Sequence, residues 1–395
     1  MNLNDYRTDD KENWIEKFCC GCGTCEQICP RDAISMSISK TGFYKPVIDE
    51  EKCVQCGKCI QKCQLLSEAN IIKTKKEPDV FVAANKNMEE IKKSSSGGLA
   101  FVLTKHILEQ QGVVFGAVYN DSMEVVHCMI DCVQEIWRLQ GSKYVQSRIG
   151  ETYRQAETCL KEGRKVLFTG TPCQIGGLYH FLGKDYSNLY TIDIICYGAA
   201  SPGIFKNYIT WKENKTKGRI KHINFRSKLD RWGVSVTEIE YENRKKLIRY
   251  SDEDEWYQTF ISHVATNEAC HSCKYTNIQR KSDITLGDFW GIEKFRPDLE
   301  RKHGLSKVLL NTDKGKELFE EIEDKIFKED MKLETAIRPN LKTPPLKSER
   351  REKFFDDYDS FGFYVAYKNH VKKKVSFMRR VKRYIKIRIR IWTGR

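Results

Sequence analysis

The chain has 395 residues, 40% hydrophobic and 31% charged, which is room for two or three domains with a substantial core, and no apolar run approaches the ~20 residues of a membrane-spanning helix. Its net charge of +14 sits at one end: no acidic residue follows Asp359, while Lys and Arg occur twelve times from Lys368 to Arg395, leaving +2 for everything before. A body so close to neutral argues against a body-wide nucleic-acid surface.

Met1-Asn2-Leu3-Asn4-Asp5 is polar and acidic, without the basic start and apolar stretch of a signal peptide. A cytoplasmic protein is therefore expected, with its 16 cysteines reduced rather than paired as disulfides. Cys19, Cys22, Cys25 and Cys29 are spaced C-x2-C-x2-C-x3-C and followed by Pro30. Cys53, Cys56, Cys59 and Cys63 repeat the spacing, followed by Gln64. This is the two-cluster ferredoxin spacing, in which the fourth cysteine of each run ligates the other cluster. It predicts one 4Fe-4S cluster on Cys19, Cys22, Cys25 and Cys63 and a second on Cys53, Cys56, Cys59 and Cys29. Zinc is the rival reading, but structural zinc sites usually separate their C-x2-C pairs by a longer loop. Gly21, Gly23 and Gly57 let the backbone wrap closely, and residues 42–49 read as the return strand of a hairpin. Residues 1–68 thus read as a small α+β ferredoxin domain and 69–79 as a linker.

From Val80 strands and helices alternate. Strands are predicted at 81–84, 113–119, 124–130, 165–169 and 189–195. Helices are predicted at 98–111, 149–162 and 172–182, with another starting at Ser201-Pro202, where serine caps and proline takes the first turn. Residues 219–250 read as β-rich. The expectation is an α/β body, a mixed sheet with flanking helices, over 80–340, and a basic amphipathic tail over 341–395.

Within the body, Cys173 lies where a strand turns into a helix and Cys196 at the end of the next strand. In a parallel sheet both fall at the carboxyl edge, where α/β folds place ligands. Cys270 and Cys273 add a C-x2-C pair in a loop. The four are candidates for a third cluster, or are buried thiols, the commonest state of free cysteine. Cys20, Cys128, Cys132 and Cys159 read as structural. Ser94-Ser95-Ser96-Gly97-Gly98 precedes a helix and offers N–H groups to a phosphate, or is a capped helix start. Gly141-Ser142-Lys143-Tyr144 combines small residues, a cation and a ring, and fits either a cofactor loop or a surface turn. No G-x-G-x-x-G and no P-loop is present. A body this large exceeds what a cluster relay needs, and a two-electron substrate needs a converter to one-electron carriers, usually flavin. No residue stands out as a catalytic acid, base or nucleophile.

These segments together resemble the family of coenzyme F420 hydrogenase/dehydrogenase beta subunits. The resemblance rests on Ser96-Gly97-Gly98, Gly141-Ser142-Lys143-Tyr144, Gly170-Thr171-Pro172-Cys173-Gln174, Asp193-Ile194-Ile195-Cys196, Cys270-x2-Cys273 and Asp283–Gly291, and runs from about residue 15 to 300. It implies FAD in the body, with Ser96, Gly97, Gly98, Gly141, Ser142, Lys143, Tyr144, Thr169, Gly170, Thr171 and Pro172 as cofactor-binding positions. It also implies an iron–sulfur centre on Cys173, Cys196, Cys270 and Cys273. The chain looks most like the bacterial branch with a fused ferredoxin that often accompanies surface-polysaccharide biosynthesis. It departs from that branch at Tyr197, where the branch has histidine. Ser96 stands where archaeal members tend to have Asp, so the deazaflavin coenzyme does not carry over.

In the tail, Val371, Val375, Met378, Val381, Ile385, Ile389 and Trp392 recur at helical steps among lysines and arginines, as in a helix lying on an anionic membrane. Residues 385–391 also alternate as a strand does. The leading expectation is an iron–sulfur flavoprotein oxidoreductase acting on a small molecule or a glycan-linked precursor, fed by a redox partner protein or a soluble donor. It would be cytoplasmic, with contact to the inner face of the membrane through residues 368–395. The alternatives are a non-catalytic electron-transfer subunit and, more remotely, a zinc-stabilised interaction protein.

Overall fold

The computed structural model describes residues 9–67, 74, 77–373 and 375–393. Met1–Asp5, most of the 69–79 linker, Lys374 and the last two residues lie outside them. In the N-terminal part, β1 (Ile34–Ile38) pairs antiparallel with β2 (Tyr44–Ile48), Ile34 opposite Ile48. Both isoleucines pack with Cys59. Two one-turn helices, Thr24–Ile28 and Lys58–Gln61, pack on each other and begin behind Gly23 (φ 74°) and Gly57 (φ 71°). That left-handed backbone is open to glycine at little cost, and it starts each helix directly beside a cysteine run.

The body contains β3 (Asp79–Asn85), β4 (Val113–Tyr119), β5 (Val125–Ile130), β6 (Val166–Gly170), β7 (Leu189–Ile194), β8 (Ile220–Arg231), β9 (Val234–Tyr241), β10 (Lys246–Tyr250), β11 (Ile284–Asp288), β12 (Ser306–Leu310) and β13 (Ile326–Asp330). Eight of these form one sheet in the order β13-β3-β12-β11-β7-β6-β4-β5. β4, β6, β7 and β11 are parallel, while β12 runs antiparallel to both β11 and β3. Gly170, Ile194, Asp288 and Asn85 therefore end at one edge, beside the start of β12 at Ser306. The sheet is mixed, and its central strands are near-continuous apolar runs because both faces are covered. Val114 and Leu167 face the helix Leu99–Glu109 through Leu103 and Ile107. Val113, Phe115, Val166 and Phe168 face the opposite way, onto the helices Thr152–Lys161 and Pro172–Leu182. The alternation of side chains along each strand sorts them to the two faces.

The strands β10-β9-β8 form a separate antiparallel sheet. It closes a second core with the helices Pro202–Thr216 and Glu255–Ile261. Ser201 accepts from Ile204 N at 3.2 Å and Pro202 occupies the first turn, a helix start of the predicted kind. Beneath it lies a charge cluster. Lys212 bonds Glu255 and stands 3.6 Å from Asp254, and Arg249 bonds Asp254 at 2.6 Å and also Glu255.

The boundary expected at 340 is not where the body ends. The helices Arg351–Phe361 and Phe363–His370 place Phe354, Phe363, Ala366 and Tyr367 in the second core, and Val371 joins them. The positive bias begins only at Lys368, and the stretch before it carries aromatic side chains at helical spacing. The last element is the helix Phe377–Thr393. Its residues 385–391 fit a strand equally well by alternation. The anchors decide: Arg383, Lys386 and Arg390, at helical steps, all reach acidic residues of the body.

Candidate cluster and cofactor sites

The eight ferredoxin thiols divide into two sets. One cavity is lined by Cys29, Cys53, Cys56 and Cys59, the other by Cys19, Cys22, Cys25 and Cys63, with Cys20 beside them. The fourth cysteine of each run thus faces the first three of the other. Gly21 N donates to Cys19 Sγ at 3.4 Å and Ala33 N to Cys29 Sγ at 3.3 Å, the backbone-to-sulfur bonds that tune cluster potentials. The spacing tests the metal. Four thiolates on one zinc at about 2.3 Å would stand about 3.8 Å apart. Among the described residues no three of the thiols have sulfurs within 4.8 Å of one another. That arrangement does not fit a single tetrahedral zinc ion.

Cys173, Cys196, Cys270 and Cys273 converge at the carboxyl edge. Cys196 lies within electrostatic range of Cys173 and Cys273, and Cys270 within range of the other three. Burial pushes the Cys196 thiol up to about 12, a cost that metal coordination removes by deprotonating the thiol outright. Thr171 Oγ1 lies 3.2 Å from Cys173 Sγ, and Ala199 N donates to Cys270 Sγ at 3.4 Å. Arg280 ties the loops together. Its Nε pairs with buried Asp193 at 3.1 Å, while Nη1 and Nη2 donate to Tyr275 O and Ile194 O.

The ferredoxin part meets the helix that carries Cys173. Thr24 Oγ1 donates to Gly177 O at 2.9 Å. A Cβ on Gly177 would lie 2.9 Å from Cys22 Cβ, and one on Gly176 would collide with Tyr275 and Gln64. Glycine at both positions permits this approach. Gln64, which replaces the proline of the first run, is fully buried here. Its Nε2 donates to Cys173 O at 2.6 Å and to Cys20 Sγ at 3.6 Å, its Oε1 accepts from Tyr275 OH, and its carbonyl accepts from Lys274. Cys20, read from the sequence as structural, stands between Cys22 and Cys173 and interacts with both. Its thiol is the leading cause drawing Cys22 down to about 6 and Cys173 below the usual thiol value.

The cofactor candidates are placed at the same edge but in two groups. Ser142 Oγ donates to Ser95 Oγ at 3.0 Å. Ser96 Oγ is turned to Leu305 O and Gly97 N to Ser306 Oγ, so neither points to an open cradle, and Gly98 (φ 83°) starts the helix Leu99–Glu109. Lys143 is half-buried, with its ammonium turned inward. Its ammonium donates to Arg138 O and Gln140 O, and burial lowers it to about 7. Tyr144 stacks on Phe260 at 4.4 Å with its hydroxyl 3.5 Å from Arg226. Thr169 accepts at its carbonyl from His127 Nε2 at 3.0 Å, with the ring in its donor tautomer. Thr171 and Gln174 form a capping box behind Pro172. Gly170 packs on Gln174 and His127, while Gly141 has φ 81° and open space around it. Around Lys143, three buried polar atoms lack partners among the described residues: Tyr119 OH, His127 Nδ1 and Gln140 Nε2. Such atoms are costly unless a ligand or water satisfies them, so the residues here fit a polar cofactor.

Residues 18–65 match the 4Fe-4S dicluster domain, and residues 163–334 match the family described as the C terminus of the coenzyme F420 hydrogenase/dehydrogenase beta subunit. The chain joins a dicluster ferredoxin domain to an F420 hydrogenase/dehydrogenase beta-subunit domain. An uncharacterized protein of Methanocaldococcus jannaschii is 24% identical over 346 residues, covering 80% of this chain and 90% of that protein. The coenzyme F420-dependent sulfite reductase of the same organism is 24% identical over 359 residues, covering 88% of this chain and 53% of the reductase. This chain therefore spans about half the reductase's length. One of the subunits of the F(420)H(2) dehydrogenase of Methanosarcina mazei is 21% identical over 323 residues, covering 78% of this chain and 83% of that protein. A chain of the F420-reducing [NiFe] hydrogenase complex from Methanosarcina barkeri overlays with a TM-score of 0.45 at 16% identity, covering 75% of this chain and 96% of that one.

In the beta-subunit domain, residues outside the sequence motifs complete the site. Arg226 bonds both oxygens of Asp288, at 2.8 and 3.0 Å, and Ser95 O at 3.1 Å. Lys228 Nζ donates to Ile91 O, Ser96 O and His303 O, and burial lowers it to about 7. Trp232 stacks on Trp290 at 4.5 Å and donates to Asp288. The alternation of Arg226 and Lys228 on β8, both aimed at the serine loop, was the one local signal for them. Tyr197 is 44% exposed and lies 4.6 Å from the ring of His263.

Proposed function

We propose that the protein is an iron–sulfur flavoprotein oxidoreductase that moves electrons between a ferredoxin-type inlet and a two-electron site in the beta-subunit domain. In this reading Cys19, Cys22, Cys25 and Cys63 hold one 4Fe-4S cluster, Cys53, Cys56, Cys59 and Cys29 a second, and Cys173, Cys196, Cys270 and Cys273 a third. Residues Gly141 to Tyr144, with Tyr119, His127 and Gln140, hold a FAD, which when bound supplies the conversion between one- and two-electron chemistry. The observation that carries the reading is the contact at Gln64. One side chain touches the carbonyl of Cys173, the thiol of Cys20 and the loop after Cys273, and so bridges the ferredoxin set and the body set. Gln64 and the Gly176-Gly177 step fix that separation. Arg280 and Asp193 orient the body loops, and Arg226 and Lys228 hold the serine loop against the sheet edge. The substrate is a small molecule or a glycan-linked precursor.

The relatives named as part of a dehydrogenase and as a reductase support the redox class. The dehydrogenase relative, one component of a larger enzyme, favours a second reading: a carrier that hands electrons to a separate enzyme. Anaerobic purification followed by acid extraction and chromatography of the released cofactor separates the two. FAD near one per chain is the result expected, and clusters without any flavin would favour the carrier. Coenzyme F420 in place of FAD would overturn the cofactor assignment and keep the redox class.

A further inference from the structure

The helix Phe377–Thr393 sits on the body by its charged side. Arg383 pairs with Asp252 at 2.8 Å and Glu253 at 2.7 Å, Lys386 reaches Asp230 at 2.7 Å, and Arg390 reaches Asp230 at 2.8 Å. Ile387, between them, is its one buried side chain among the described residues and packs with Val236 and Tyr250. The opposite side carries Met378, Val381, Ile385, Ile389 and Trp392, separated by three or four residues and so aligned in one stripe. Trp392 is 88% exposed, Met378 65%, Ile389 54% and Ile385 51%. An amphipathic helix on a globular protein normally buries its apolar stripe and shows its charges to water. Here the arrangement is inverted, and acidic partners on the body hold it that way.

The surroundings of the stripe identify its occupant. Lys382 and Arg388 flank it and are exposed, as are Arg379 and Arg380 on the same helix and Lys372 and Lys373 before it, and no acidic residue follows Asp359. A second copy of the helix would bring like charges together. An apolar stripe bordered by cations matches an anionic bilayer, whose acyl boundary takes the stripe and whose phosphates take the lysines and arginines. Among the described residues no helix is long and apolar enough to cross a membrane, so the contact is in the plane of the surface. We propose that residues 377–393 dock the protein on an anionic lipid surface through Met378, Val381, Ile385, Ile389 and Trp392. This stands on the helix alone and is independent of the redox reading.

The test uses the full-length holoprotein and sucrose-loaded vesicles of phosphatidylglycerol or of phosphatidylcholine. Co-sedimentation with phosphatidylglycerol is expected, weaker by at least about tenfold with phosphatidylcholine and weakened at high salt. The double substitution Ile385→Glu, Ile389→Glu, at exposed positions, should lower binding by at least about tenfold while the visible cluster absorption is unchanged. Brominated phosphatidylglycerol should quench a fluorescence component that Trp392→Phe removes. Equal binding by the Glu variant, equal binding to the neutral lipid, or sedimentation without Trp392 quenching would each overturn the proposal. So would light scattering that shows a dimer in the parent protein and a monomer in the Glu variant, which would make the stripe a self-association surface.

Discussion

Gln64 shows what a single side chain decides in this molecule. It is buried, and its amide serves Tyr275, Cys173 and Cys20 at once. Gln64→Ala strands Tyr275 OH and a backbone carbonyl, at a cost of roughly 1–3 kcal/mol. The expected result is a matching loss of thermal stability with the iron content unchanged, read by calorimetry and an iron assay on the same sample. Cys20 gives a sharper division. If it only bridges Cys22 and Cys173, Cys20→Ala keeps all the iron, whereas loss of a whole cluster's iron would make it a ligand. Cys173→Ala and Cys270→Ser should each lower iron by about four atoms per chain, since a cubane lost is four irons lost. Full iron in both would remove the third cluster. The two ferredoxin cysteine sets were legible in the sequence because their spacing is a local, repeated signal. Gln64 was not. Its partner Cys173 is 109 residues away, and no periodicity reports such a contact. Lys143 was legible as a loop cation but not in its orientation, because only the fold places Arg138 O and Gln140 O beside it.

At the level of elements, most helices and strands follow from capping and from apolar runs. Thr171, Pro172 and Gln174 set the start of the helix Pro172–Leu182, and Gly183 (φ 71°) its end. The tail is where periodicity was ambiguous, since alternating isoleucines serve a strand and a helix alike. The charge cluster under the helix Pro202–Thr216 was invisible to sequence reading because its members come from three separate elements. Burial opposes ionisation of Asp254 and Glu255, but Arg249 and Lys212 beside them outweigh it, and both carboxyls titrate below the usual range. A depressed folded value means stability that is complete above the ordinary carboxylate range and is lost as pH falls through the folded values. Urea midpoints should therefore be flat near neutrality and drop in acid, below about pH 4. Lys212→Met, which leaves Asp254 and Glu255 with one cation fewer in a buried site, should shed roughly 3–5 kcal/mol and flatten that acid dependence. An unchanged midpoint would mean that Arg249 alone neutralises both carboxylates.

For the whole molecule, the arrangement of sites follows from one edge of one sheet. Parallel β4, β6, β7 and β11 bring Gly170, Cys196 and Asp288 to the same side, and the ferredoxin domain is set against the helix that leaves that side. Gly177→Ala tests this docking, because its Cβ would press on Cys22, Thr24 and Tyr153. Overpacking of this kind costs about 1–3 kcal/mol. Faster tryptic release of the N-terminal domain, with the cofactors of the body retained, is the outcome expected. The central claim is that three cysteine sets and one flavin share a single chain. Counting iron, acid-labile sulfide and flavin per chain in anaerobically purified protein tests it most directly. The account predicts about twelve irons, about twelve sulfides and about one flavin, whereas about eight irons and no flavin, or zinc without sulfide, would contradict it.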